Sequence, residues 1–597
     1  MSSEHSTGSS KPVLIAIVII LAAYLAMALV WQLPQKWTEA LHTGHHASAG
    51  DHADDHGDDH APATDDHDPE HAHDGAPSDG HDEPAEGDTA DTDHAPVDPH
   101  ADDSDAHASG AEANGHDDEH PVPDSLYIMI APFALLLLAI AILPLIPFTE
   151  HWWEKNLNRF YVAAILGMIT LSYFWFFHQG DVPVHWPAHD WLEVEDVQVS
   201  GFDRAKAVLF NAILGEYIPF IMLLFSLYTI SGGIRIEGDL AAHPLTNSTF
   251  IAIGGLLASF IGTTGAAMLL IRPLLETNKE RKYVRHTVVF FIFVVCNCGG
   301  LLLPIGDPPL FLGYLRGVSF LWTMELWPAW LMVNILLVIV YFCWDHFFCY
   351  PKEEKTDILR DEIRTTKLKF SGLWPNVPLL AGVILSVALL DPHQKFLGTN
   401  WYPWMYLREI VQLALIGLSL FLGSQKVREA NKFNYHAIVE VAALFCGIFI
   451  CMQPPLQILN EKGSQLGIDT PGEYFWATGT LSSVLDNAPT YVVFFETAKS
   501  LDNESKEANK PLVFLSEDET TEKSLPSKFL IAISLGAVFM GAMTYIGNGP
   551  NFMVRAIADE SGVKMPSFFG YMLYSCAVLL PILLLTVWLM PMMFGFG

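Results

Sequence analysis

Between Trp37 and Asp124 the chain has no lysine and no arginine. That absence excludes nucleic acid as a partner of this stretch, because such contacts rest on cationic side chains. Cysteine is scarce as well: seven residues, none before position 290. Most of them (Cys296, Cys298, Cys343, Cys446, Cys451, Cys576) fall inside apolar runs, with Cys349 just beyond one. None has zinc or haem spacing, and Cys296-x-Cys298 is too tight for a structural zinc pair, so buried single thiols are expected. There is no nucleotide-binding loop, no HExxH and no nucleophile elbow. An enzyme is therefore not expected, and any energy source should be an ion gradient rather than ATP. After the first apolar run, residues 12–31, no small-residue cleavage site follows; Trp31-Gln32-Leu33-Pro34 comes instead. This run is read as an uncleaved first span, with the end near Lys11 in the cytoplasm.

What is present divides into two unlike parts. Twenty-five acids and no cations lie between Asp51 and His120, interleaved with histidine. Such a segment has too little apolar surface to offset its chain entropy, and residues 37–124 are expected to be a disordered extracytoplasmic loop. His52, His56, His60, His67, His71 and His73 are candidate ligands for a loosely bound divalent metal (Zn²⁺, Ni²⁺, Cu²⁺ or Ca²⁺). The alternatives are a proton buffer or simply a solvated acidic linker. The rest of the chain holds apolar runs near 20 residues, the length that crosses a bilayer. They lie at about 126–148, 159–179, 209–231, 287–317, 320–345, 373–391, 405–423, 437–453, 527–557 and 569–592. The basic stretches after residues 350 and 277 suit the cytoplasm, and the acidic stretches 180–203 and 501–524 suit the outside.

Two of these runs are interrupted. Gly306-Asp307-Pro308-Pro309 stands within 287–317, and Gly547-Asn548-Gly549-Pro550-Asn551 within 527–557. Proline removes a backbone donor and clashes with the preceding turn, so neither run is a continuous helix. Each is preceded by an apolar segment with a polar tip: 247–275, with Thr263-Thr264-Gly265, and 473–499, with Ser482-Ser483-Val484-Leu485-Asp486-Asn487-Ala488-Pro489-Thr490. The first is flanked on both sides by cytoplasmic-type sequence and is expected to turn round inside the membrane. Counting crossings, the second enters from the outside. Broken backbone at membrane depth persists only where protein or water satisfies it, and transporter substrate sites are built this way in paired repeats. The expectation is an all-α polytopic membrane protein: an inverted repeat of helices with two re-entrant hairpins and two broken transmembrane helices, plus an N-terminal span. Its parts are residues 1–36, the loop 37–124, a first repeat 125–350, a cytoplasmic linker 351–372 and a second repeat 373–597.

The segments G-T-T-G-A-A-M-L-L-I-R-P-L-L, G-D-P-P-L-F-L-G and L-D-N-A-P-T resemble the ion transporter superfamily over roughly residues 126–597. Within it they are most similar to the branch of NhaD-type sodium/proton antiporters and CitMHS-like citrate transporters. The resemblance implies secondary transport by alternating access and a homodimer. Where NhaD-type antiporters carry an Asp-Asn pair in the first hairpin, this chain has Thr263-Thr264-Gly265.

The candidate ion-binding residues are Asp307, Asp486, Asn487, Thr263, Thr264, Gly265, Gly306, Ser482, Ser483, Thr490, Gly547, Asn548 and Asn551. A carboxylate near the bilayer centre must be solvated, paired or protonated. If it accepts either H⁺ or Na⁺ (or Li⁺) but not both, the result is sodium/proton antiport. Asp307 and Asp486 also suit plain helix caps, each standing just before a proline-containing helix start. The rival function is Na⁺- or H⁺-coupled symport of a small carboxylate such as citrate, drawn to helix N-termini and free amides. A third is a metal-sensing membrane scaffold acting through the His-rich loop. Arg272, Arg555 and Arg316 are read as end-of-span residues reaching the interface, Glu216 and Glu440 as interfacial acids, and Asn297 as a helix–helix contact. A bacterial inner membrane with the His-rich loop in the periplasm is expected. The loop reading predicts that a 37–124 peptide releases binding heat with Zn²⁺ or Ni²⁺ in calorimetry beyond that of a scrambled, histidine-free peptide; equal heats would leave only a linker.

Overall fold

The computed structural model describes residues 11–47, 123–187, 191–192, 199–501, 512–514 and 524–596. The six candidate metal-binding histidines, His52 to His73, lie outside the described residues.

Helix α1 (Lys11–Ala26) is extended by a π turn, Met27–Trp31, into an apolar span of 20 residues. Leu29, Val30 and Ile19 on it are exposed, as lipid-facing side chains are. Helix α2 (Leu33–Ala47) follows, so residues 37–47 of the expected loop are helical. The reason is local packing: the Thr38 hydroxyl bonds back to Pro34 O and accepts from Met405 N, while the Trp37 ring meets Trp186 and Tyr406.

The first repeat runs through α3 (Asp124–Ile128), α4 (Ile130–Ile142), α5 (Pro147–Trp153), α6 (Asn156–Phe176) and α7 (Gly201–Phe210). A π turn at Asn211–Tyr217 continues α7 into α8 (Ile218–Ser231). Then come a hairpin, α9 (Pro244–Ile261) and α10 (Thr263–Thr277), a broken helix, α11 (Arg285–Val295) and α12 (Pro308–Leu315), and α13 (Trp327–Trp344). The amphipathic α14 (Lys355–Arg364) links the halves. The second repeat has α15 (Leu373–Leu389), α16 (Leu407–Leu422), α17 (Gln425–Ala430) and α18 (His436–Lys462). Its hairpin is α19 (Pro471–Val484) and α20 (Asn487–Lys499), its broken helix α21 (Ser527–Met540) and α22 (Gly549–Glu560), and its last span α23 (Phe568–Phe594). Among the described residues, eight helices are long and apolar enough to cross a membrane; one of them is the hairpin arm Pro244–Ile261.

The halves exchange packing partners. Helix α6 packs on α18 as α16 packs on α8, α4 on α18 as α15 on α8, and α12 on α20 as α22 on α10, while α13 packs on its counterpart α23. The hairpins enter from opposite faces. Strand β1 (Arg235–Asp239) pairs antiparallel with β2 (Thr366–Ser371) and leads straight into α9, which puts the base of the first hairpin at this ribbon. Arg235 reaches Asn431, just ahead of α18, so α18 starts at the ribbon face too. The far end of α18 lies at the base of the second hairpin, where a β-carbon on Gly463 would stand 2.6 Å from Ser500 Oγ.

The broken helices occupy the centre. Every residue of α11 from His286 to Val295 and of α21 from Phe529 to Met540 is buried. A helix apolar on all sides fits only there. Both breaks are longer than Gly and Pro alone suggest: α11 already ends at Val295, and a short 3₁₀ turn at Cys298–Leu301 precedes Asp307. Glycines six residues apart let each break fold back on itself. A β-carbon on Gly306 would stand 2.1 Å from Gly300 O, and one on Gly547 2.6 Å from Gly541 O.

The α6–α18 crossing depends on one close approach, where a β-carbon at Gly447 would lie 2.7 Å from the carbonyl oxygen of Ala163. Gly447→Ala is expected to destabilise the protein by about 1–3 kcal/mol through overpacking, read as a lowered melting temperature in detergent; an unchanged melt would show that the helices separate freely there.

Candidate functional site

Four helix starts meet at one point. Thr263 opens α10 and Asn487 opens α20, while Asp307 immediately precedes α12 and Asn548 precedes α22. Local chemistry places each of them. Gly262 reverses the chain between α9 and α10 at φ 78°, a conformation that residues with a side chain rarely adopt. The second hairpin turns through extended Leu485 and Asp486 instead. Asp307 and Asn548 hold matching extended conformations, φ −142° and −150°, and neither side chain caps its own helix. Both are thereby free to face inward.

Asp307 is the hub. Its Oδ1 accepts from the Thr263 hydroxyl and from the Asn548 amide, both at 2.9 Å, and its Oδ2 accepts from the Asn487 amide at 2.6 Å. It is 1% exposed. All three donors are neutral, and among the described residues it has no ion pair. Next to it the Gly306 carbonyl accepts from Thr263 N at 2.8 Å, closing the tip of the first hairpin onto the break.

A second layer stitches the two breaks together. The Asn548 amide also reaches Cys296 O at 3.0 Å, and the Asn297 amide donates to Asn551 Oδ1 at 2.8 Å. Asn551 in turn donates to Gly541 O and Thr544 O. Asn297 therefore bridges the two broken helices. Within this cluster two buried amide oxygens have no hydrogen-bond partner among the described residues, Asn297 Oδ1 and Asn487 Oδ1. Both amides flank Gly541, where a β-carbon would be 3.1 Å from Asn297 Oδ1 and 3.5 Å from Asn487 Nδ2. A primary amide can present oxygen or nitrogen by rotation, so Asp307, Asn487, Asn297, Asn548 and Thr263 together can offer a set of hard oxygen ligands.

The other candidates are placed differently. Asp486 accepts from Ala488 N at 3.1 Å and receives the Thr490 hydroxyl on its carbonyl, so it and Thr490 form the cap of α20. The Ser482 and Ser483 hydroxyls turn to Ala537 O and Thr480 O, away from Asp307. Thr264 and Gly265 lie in the first turn of α10, with Gly265 buried near Ser231. Gly547 donates to the Thr544 hydroxyl and belongs to the second break.

A cavity of about 320 Å³ lies at the face opposite the ribbon, lined among others by Glu216, Tyr314, Arg316, Arg408, Gln453 and Glu496. It stops short of Asp307, which lies at the other end of α12, about 12 Å away along the helix. Arg316 is not an interfacial residue as expected. It pairs with Glu216 at 3.0 Å and Glu496 at 3.3 Å and is 11% exposed, because the break leaves α12 so short that its end stays inside the protein. Glu216 is correspondingly drawn into the interior, within the π turn between α7 and α8. Glu440 pairs with Arg159 at 2.9 Å, a contact between spans that are remote in sequence.

The Asp486 cap makes a local prediction. Asp486→Asn keeps a good cap acceptor, whereas Asp486→Ala is expected to cost about 0.5–2 kcal/mol, measurable by thermal unfolding in detergent; equal loss in both variants would give the carboxylate a role beyond capping.

Two comparisons with known proteins bear on this arrangement. Inner membrane protein YbiR of Escherichia coli (strain K12) is 23% identical over 344 residues, which cover 56% of this chain and 78% of that protein. Residues 161–591, which include both hairpins and both breaks, match the family described as putative citrate transport. That stretch is most of the chain and contains the whole of the Asp307 cluster: this multi-pass membrane protein belongs to the putative citrate transport family and is a secondary transporter.

Proposed function

We propose that the protein exchanges Na⁺ (or Li⁺) for protons by alternating access, with Asp307 as the group that holds either ion in turn. The observation that carries this reading is a fully buried carboxylate whose hydrogen-bond partners among the described residues are all neutral donors. A buried charge with no counter-charge is costly, and a bound cation or a proton removes that cost. One carboxylate cannot hold both at once, and that competition couples the two flows. Sodium is a hard ion, and the nearby acceptors are amide and hydroxyl oxygens, two of them unpartnered. The site is shared by two hairpins that enter from opposite faces, so movement of one repeat against the other exposes it to one side and then the other. In this reading the protein is a transporter and not an enzyme, it sits in a bacterial inner membrane as a homodimer, and the 37–124 segment is periplasmic.

A second reading, cation-coupled symport of a citrate-like carboxylate, is favoured by the family description and by the cavity that holds Arg316 and Arg408. In that case Asp307 keeps the coupling cation, and the anion enters beside the arginines once that cation is bound.

Proteoliposomes carrying a pH-sensitive dye separate the two. Added Na⁺ or Li⁺, but not K⁺, is expected to move internal pH without citrate. Asp307→Asn should reduce that response to the level of empty vesicles, and Asp486→Asn should retain it. A wild-type response that appears only with citrate selects symport, and undiminished Na⁺-driven proton movement in Asp307→Asn removes the proposed role.

A further inference from the structure

A second group of carboxylates lies apart from Asp307, at the ribbon face. Asp239 ends β1, Glu280 stands in the turn after α10, and Asp361 lies on α14. They come from the two flanks of the first hairpin and from the linker between the repeats. One ligand oxygen from each lies within 4.8 Å of the others. All three are interior: Asp239 and Asp361 are each 5% exposed, and the Glu280 side chain is 7% exposed.

The hydrogen bonding is half complete in the same way at all three. Asp239 Oδ2 takes Lys279 at 3.0 Å, Glu280 Oε1 takes Arg364 at 3.4 Å, and Asp361 Oδ2 takes the Ala242 amide at 2.7 Å. The remaining oxygens, Asp239 Oδ1, Glu280 Oε2 and Asp361 Oδ1, are buried and have no hydrogen-bond partner. The two neighbouring cations sit on solvated stems, Lys279 being 40% and Arg364 64% exposed. Buried Arg281 is committed elsewhere, to Asp345, Glu353 and the Ala242 carbonyl. His243 is held by Tyr350 and faces Glu362. Three acids gathered in the interior with their free oxygens unfilled are short of positive charge.

A cation fits that shortage. Oxygens bound to Ca²⁺ at about 2.4 Å can stand up to about 4.8 Å apart, and Mg²⁺ draws them closer. The ligands are all carboxylates, with no thiol or imidazole, which selects a hard ion over zinc or copper. We propose that Asp239, Glu280 and Asp361 form a site for a hard divalent cation, Ca²⁺ or Mg²⁺, which fastens the inter-repeat linker to the base of the first hairpin.

The test uses the full chain in detergent, stripped with a chelator and melted with and without Ca²⁺, Mg²⁺ or Zn²⁺. Wild type is expected to gain several degrees with Ca²⁺ or Mg²⁺, the more effective ion identifying the occupant. The double variant Asp239→Asn, Asp361→Asn should lose that gain. Both proteins keep the His-rich segment, so any response from it cancels in the comparison. Glu280→Gln, a milder change, should raise the cation concentration at half-effect, and it serves alone if the double variant does not fold. No gain in wild type, an equal gain in the double variant, or an unaltered half-effect concentration in Glu280→Gln would overturn the proposal.

Discussion

The arrangement depends on one carboxylate held by three neutral donors. Asp307 joins the tip of the first hairpin through Thr263, the tip of the second through Asn487, and the second break through Asn548. Each partner begins or precedes a helix whose N-terminal end carries a partial positive charge, which suits an acid at their meeting point. Among the described residues, no side chain of opposite charge completes the balance. The junction is therefore held together yet remains sensitive to whatever small cation or proton arrives, which is the property a coupling site needs.

The two halves share one backbone plan and diverge in its chemistry. Ile305-Gly306-Asp307-Pro308-Pro309 and Ile546-Gly547-Asn548-Gly549-Pro550 fold alike, each glycine returning to a partner six residues earlier. One repeat contributes an acid and the other an amide that donates to it. The repeat therefore yields one shared centre instead of two equal ones. Asp486 illustrates the same divergence: it stands where the first hairpin has Gly262, and it is spent on capping α20.

Much of this was legible in the chain. The two breaks, the two hairpins and their opposite entry followed from glycine and proline within apolar runs and from the charge of the flanking loops. What separates Asp307 from Asp486 was not legible, since both precede proline-containing helix starts and only the backbone direction decides which carboxylate turns inward. The true start of the first break was hidden because Val295 to Cys298 are apolar or small apart from Asn297, and nothing local stops a helix there. Arg316 looked like a lipid-interface residue because its partners, Glu216 and Glu496, are remote in sequence. Asp239, Glu280 and Asp361 share no motif in the sequence, and only the fold brings them together.

The central burial of the broken helices also constrains how the protein is made. Asp307 leaves the ribosome 180 residues before Asn487 and 241 before Asn548. At roughly 5–20 residues per second, about 10–50 seconds pass before its last donor exists. During that interval α11, 11 residues long and apolar on every side, has no second half to pack against. The Asp307 centre is therefore completed only after most of the second repeat has been made.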